Sequence, residues 1–179
     1  MIDLGYSRER MLSDIQASGR LRPGARLSGE RARVVIRRKG PGEILPDLNA
    51  ALSARFADVP PDRLERDLLS PLKKAVGNAH KRGNLRDPDK WITVEVVVAS
   101  AGAFLEVSDE GVGFDVAGTL ERFRDGGAYF AHSGSGFRRF AKARSVISFD
   151  RGGSQFRLRF LRGRSPTRPD SARRAGGRR

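Results

Sequence analysis

Six of the seven residues from Ile92 to Val98 are β-branched, and a run of that kind favours a pleated strand. Ser100-Ala-Gly-Ala then turns the chain back into Phe104-Leu-Glu-Val-Ser, which predicts an antiparallel hairpin. The pattern recurs near the other end: Ser145–Phe149, a turn at Asp150-Arg-Gly-Gly, and Gln155–Phe160. A further short β-rich run, Arg33-Val-Val-Ile-Arg-Arg, is ended by Lys39-Gly-Pro-Gly. Strands that come as hairpins, rather than alternating with crossover helices, predict an antiparallel or mixed sheet with helices on one face, an α+β sandwich.

The helices are read from apolar spacing. Ile44, Leu45, Leu48, Leu52 and Phe56 recur at threes and fours between Glu43 and Ala57. Pro60-Pro61-Asp62 opens a second stretch whose stripe is Leu64, Leu68, Leu72, Ala75, Val76 and Ala79, ended by Gly83-Asn84. Pro71 interrupts it, so the helix either kinks there or restarts with Ser70 as N-cap and Pro71 at the first helical position. The stripe keeps its phase across the proline, which favours the kink. A short helix over Ser7–Ser18 and another from Phe137 to Ala143 complete the set, with a glycine-broken stretch from Asp109 to Gly136. The expected organisation is an N-terminal extension over 1–32, one domain over 33–161, and a tail over 162–179.

The 179 residues contain no cysteine, which excludes disulfides, thiolate zinc sites and thiol nucleophiles. The longest apolar runs are too short to span a bilayer, and the first residues lack the basic-then-apolar layout of a secretory signal. A cytoplasmic location is expected. The net charge is +14, of which residues 162–179 carry +6 and the rest +8. A Pro/Gly/Ser/Arg tail with no apolar residue larger than Ala has too little to bury and is expected to be disordered. Such a tail attracts nucleic acid, anionic lipid or an acidic protein, or serves only as a solubilising extension.

Three segments carry the chemistry. Leu72-Lys-Lys-Ala-Val-Gly-Asn-Ala-His places Lys74 and Asn78 one turn apart on a helix. Ser108-Asp-Glu-Gly-Val-Gly-Phe-Asp115 is a strand end followed by a glycine-rich turn. His132-Ser-Gly-Ser-Gly-Phe-Arg-Arg leads through Gly134 and Gly136 into a helix whose free N–H groups suit phosphate. In this order the segments resemble the boxes of the GHKL ATPase superfamily, in the branch of anti-sigma-factor kinases. The resemblance implies a two-layer α/β sandwich of the GHKL (Bergerat) type over 33–161, binding ATP or ADP. It implies that Asn78 coordinates magnesium, Asp109 accepts the adenine amine, Gly111 and Gly113 let the backbone approach the ring, and Gly134 and Gly136 border the phosphates. Residues 118–133 would then form the nucleotide lid. The implied partner is a protein, a sigma factor or an anti-anti-sigma-like regulator.

One position departs from the pattern. Four residues before the box Asn the family usually keeps a Glu as general base, and here Lys74 stands there. An ammonium beside phosphates is protonated and is no base near neutral pH; losing such a base typically costs about a hundred- to ten-thousand-fold in rate. Either Lys74 adds a charge contact to a nucleotide that is bound without turnover, or the pocket is unused. The first is the expectation: a regulatory nucleotide-binding domain with little or no turnover. An active serine/threonine kinase or ATPase is the alternative, and a nucleic-acid-associated protein acting through its Arg-rich tail is a second. His80 is read as a surface residue, and His132 falls in the expected lid.

Overall fold

The computed structural model describes residues 1–17, 32–125 and 135–163. Five strands, β1 (Ala32–Arg38), β2 (Ile92–Ala99), β3 (Gly102–Ser108), β4 (Val146–Asp150) and β5 (Gln155–Leu161), form one sheet in the order β1-β2-β3-β5-β4. Every neighbouring pair is antiparallel. Among the described residues the parallel component is a single bridge, Ile2 to Ile147. Both expected hairpins are present; the first closes tightly, with Ala99 opposite Gly102.

Helix α1 spans Arg8–Ala17, α2 Leu45–Arg55, α3 Pro61–Leu64, α4 Ser70–Asn78, α5 Val116–Arg124 and α6 Ser135–Lys142. From Pro61 to Gly83 the path is helical throughout, because π-helical turns at Glu65–Leu69 and Ala79–Gly83 extend α3 and α4. Leu69 and Ser70 keep right-handed helical backbone angles. The chain therefore runs through Pro71 instead of restarting at a Ser70 cap, with the wide turn placed just before the ring that would otherwise crowd it. The whole expected stripe, Leu64, Leu68, Leu72, Ala75, Val76 and Ala79, is buried.

Alternation along the strands sorts the core. Ile92, Val94, Val96, Val98, Ala103, Leu105 and Val107 face α2, α4 and α6 in the larger cluster. Val97, Ala99 and Phe104 face the other way, onto Tyr6, Met11 and Ile15 of the N-terminal segment. This corrects the expectation of helices on one face: α1 covers the reverse side of the sheet. The reverse side is also where the charges are paired. Glu95, nearly buried, accepts Arg8 at 2.7 Å and Arg33 at 2.8 Å, and Glu106 accepts Arg157 at 2.8 Å. Among the described residues no helix is long and apolar enough to cross a membrane.

Two further boundaries differ from expectation. Residues 118–124, read as the start of a lid, belong to helix α5, capped by Asp115, whose carboxylate accepts the Gly118 N–H at 2.9 Å. Arg162 and Gly163, read as tail, are held to the domain. The Arg162 N–H donates to the Ala101 carbonyl at 2.7 Å, and Arg63 donates to the carbonyls of Leu161, Arg162 and Gly163. The expected tail from 164 on, the remainder of the expected lid, Gly134 and His132 lie outside the described residues.

Candidate functional site

The site is built along one side of a single helix. Lys74 and Asn78 are one α-helical turn apart on α4. Gly83 follows Asn78 by five residues, a step that on a regular α-helix would turn it about 140° away. The π turn Ala79–Gly83 changes this, since i to i+5 bonding stacks a residue over the one five before it. Lys74, Asn78 and Gly83 thereby fall in a row along one side of the helical path.

At one end of the row lies Asp109. Its carboxyl carbon would stand 2.2 Å from a Cβ placed on Gly83, so only a bare Cα admits it there. Oδ1 accepts the Gly111 N–H at 2.9 Å, and the Asp109 N–H donates to the Ser154 carbonyl at 3.1 Å. Burial pushes the carboxyl above its ordinary value, against the Gly111 N–H and the Lys90 charge, which favour ionisation. A half-buried carboxylate held in this way is an acceptor for a partly desolvated N–H donor.

The glycines of this loop admit close approaches within the protein itself. A Cβ on Gly111 would meet the Gly83 carbonyl oxygen at 2.2 Å, and one on Gly113 the Gly152 carbonyl oxygen at 2.1 Å. Both glycines admit the protein's own backbone, and Gly113 also has a positive φ of 77°. The next two residues are equally structural. Phe114 packs edge-on against Phe137 and Phe149, 6.3 and 5.7 Å between ring centroids, and Asp115 caps α5. Gly-Phe-Asp thus ties the Asp109 loop to α6 and β4 through a shared aromatic cluster.

At the other end, α6 meets α4. Gly136 lies in the first turn of α6, inside the helix rather than ahead of it. A Cβ on it would come within 3.2 Å of Asn78 Nδ2 and 3.4 Å of Lys74 Cε. The expected site residues Lys74 and Asn78 therefore both border Gly136. Burial lowers the Lys74 ammonium below its ordinary value, and Arg139, Arg82 and Lys81 lower it further. This end of the row is strongly cationic.

Sequence reasoning passed over Gly83 and Asn84 as a helix terminus only. Asn84 is almost fully buried and joins three elements: its Nδ2 donates to the Trp91 carbonyl at 2.9 Å, and its Oδ1 accepts the Glu110 N–H at 2.8 Å. It fastens the end of the helix to the loop carrying Asp109. His80, read as a surface residue, has a buried Nδ1 with no hydrogen-bond partner.

The two ends differ in what they can hold. The cationic end suits an anion such as phosphate. Toward magnesium the described residues offer the neutral amide of Asn78, an oxygen that a hard cation accepts beside phosphate ligands. Among the described residues no group of three or more His, Asp or Glu gathers to hold a metal. Compared with known proteins, the chain matches no family model and no curated protein.

Proposed function

We propose that this row is the binding site of an adenine nucleotide, ATP or ADP, in a GHKL-like domain that binds nucleotide with little or no turnover. The observation that carries the reading is the helix from Lys74 to Gly83, which meets a half-buried acceptor, Asp109, at one end and the cationic contact of Lys74, Asn78 and Gly136 at the other. In this reading the exocyclic amine of the base donates to Asp109, and the phosphates lie against Asn78, Lys74 and the start of α6. The ligand supplies the phosphoryl group that a catalytic relative would transfer.

The side chains present favour holding over reacting. Lys74 stands where a proton acceptor for the attacking hydroxyl would be needed, and phosphates beside it favour its charged form. Asp67, nearly two turns before Lys74, is no substitute. It is buried and committed to Arg66 at 2.8 Å and to the Arg144 N–H at 2.9 Å. A domain that binds and does not turn over acts by changing what else it binds. We therefore place the protein among cytoplasmic regulators with a protein partner, of the anti-sigma switch type.

Calorimetric titration of ATP and ADP into the full chain tests the reading, with Asp109→Ala expected to weaken binding by about 1–3 kcal/mol through loss of the acceptor. Equal affinity in that variant sinks the adenine assignment. Single-turnover incubation with labelled ATP should give no phosphate release; release that vanishes in Asn78→Ala would establish a catalyst instead.

A further inference from the structure

Strand β4 begins at Val146, opposite Arg159, and β5 runs on past that pair through Phe160 and Leu161. Beside this free end of β5 is an open recess of about 230 Å³, walled also by Arg144 and Ser145 of the loop before β4 and by Arg63 and Asp67 of the helical path. Pockets that take drug-sized ligands run to about 300–1,000 Å³, so an occupant here is small. The recess is separate from the row along α4, since neither Lys74, Asn78 nor Asp109 lines it.

Three arginines, Arg63, Arg144 and Arg159, and one acid, Asp67, contribute to the wall. The carboxylate is occupied. Its Oδ1 accepts Arg66 Nε at 2.8 Å and the Arg144 N–H at 2.9 Å, and its Oδ2 accepts Arg66 at 2.9 Å. Arg63 is equally fixed, by the carbonyls of Leu161, Arg162 and Gly163. Arg144 is exposed. Arg159 is the group that calls for a ligand. It is 7% exposed, its Nη1 donates to Asp14, and its Nε is buried with no hydrogen-bond partner among the described residues. A buried donor on a charged group, left without an acceptor, carries its full desolvation penalty, and folded proteins hold few of them. At a recess lined by arginines, the acceptor that fits such a donor is an anionic oxygen.

We infer that the recess binds a small oxyanion of the size of phosphate, which accepts from Arg159 Nε and faces the Arg144 side chain. The ion joins β5 to the loop ahead of β4 and, through Arg159, to Asp14 of α1, so its binding stabilises the fold by mass action. Nothing in this inference depends on the nucleotide reading.

The experiment titrates inorganic phosphate into the full chain at constant ionic strength, which removes general screening as a cause. Calorimetry, the thermal midpoint and the Arg159 Nε–H resonance in a nitrogen-15 spectrum are followed together. Saturable binding, a raised midpoint and a shift of that resonance are expected. Arg159→Lys keeps a cation for Asp14 but lacks the Nε donor, and should weaken binding about ten-fold or more. Arg144→Gln changes an exposed side chain and should weaken it about two- to five-fold. Circular dichroism separates lost binding from lost fold in Arg159→Lys; if that variant unfolds, Arg144→Gln and the wild-type resonance decide. Phosphate binding that falls in Asn78→Ala and is unchanged in both arginine variants belongs to the row along α4. That result overturns the inference and leaves the nucleotide reading standing. Absence of saturable binding, or a resonance that phosphate does not move, overturns it as well.

Discussion

The hydroxyl of Ser145 donates a 2.7 Å buried hydrogen bond to the backbone carbonyl of Asp67. In an α-helix that carbonyl would accept from the N–H four residues on, and the residue there is Pro71. Asp67 lies in the π turn that ends at Leu69, and the loop between α6 and β4 brings its carbonyl a donor from outside the helix, close to the proline that has no N–H to give. Ser145→Ala should leave the carbonyl short of a partner and cost about 1–3 kcal/mol in chemical denaturation. In a Pro71→Ala background, where residue 71 carries an N–H, the same substitution should cost less, and the two sites should fail to add. Strict additivity would mean the two features are unrelated.

Gly83→Ala would place a methyl group 2.2 Å from the carboxyl carbon of Asp109. The carboxylate has to move, and overpacking of this kind typically costs about 1–3 kcal/mol. The same change combined with Asp109→Ala should cost clearly less than the single variant, since the obstructing group is gone. A Gly83→Ala protein with unchanged midpoint and unchanged nucleotide affinity would contradict the packing described.

Asp109 also gives a pH signature. Burial raises its folded value above that of the unfolded chain, so the group stabilises the fold most fully when protonated, below the unfolded value near about 4. That contribution is lost as pH rises through the higher folded value. Asp109→Asn keeps an oxygen for the Gly111 N–H and removes the charge. Its thermal midpoint should exceed that of the parent at neutral pH, and the two curves should converge on acidification. A variant less stable than the parent at pH 7 would show that the ionised carboxylate is well solvated or well paired.

The end of the domain can be located by truncation. Arg162 donates to the Ala101 and Arg55 carbonyls and pairs with Asp58 at 3.3 Å. A chain ending at Gly163 should keep its thermal midpoint. One ending at Leu161 gives up these bonds and should lose about 1–3 kcal/mol. Equal midpoints would mean that Arg162 contributes nothing to stability.

The elements legible in the sequence are those whose signal is periodic: the β-branched run of β2, the stripe from Leu64 to Ala79, and the two hairpins. Helix α5 was hidden because Gly118 and the glycines around it read as loop, although Asp115 followed by Val116, Leu120 and Phe123 is a cap ahead of a helical stripe. The seat of α1 was hidden for another reason. Met11 and Ile15 are only two apolar residues, and nothing local says that the reverse face of the sheet needs them. At the candidate site, Asp109 and Asn78 stood out through the resemblance of their segments to the boxes of a known family. Gly83 did not, because the side chain that demands it is 26 positions away. The π turn that brings Gly83 into line with Asn78 has no signature in residue type.

Glu95 accepts Arg8 with one carboxylate oxygen and Arg33 with the other. Arg8 opens α1 and Arg33 lies in β1, so the two elements that flank residues 18–31 in the chain share one anchor. Once the ends are pinned, the entropy of closing the loop grows only with the logarithm of its length, about 0.6 kcal/mol for each doubling. The rest of the fold is then nearly indifferent to how many residues lie between. This makes the segment the natural point to graft a foreign peptide or reporter. A single cut within it would turn residues 1–17 into a separate strip, held by the Ile2 bridge to Ile147, by the packing of Tyr6, Met11 and Ile15, and by ion pairs of Arg8 with Glu95 and of Asp14 with Arg159, whose exchange with added peptide could be timed.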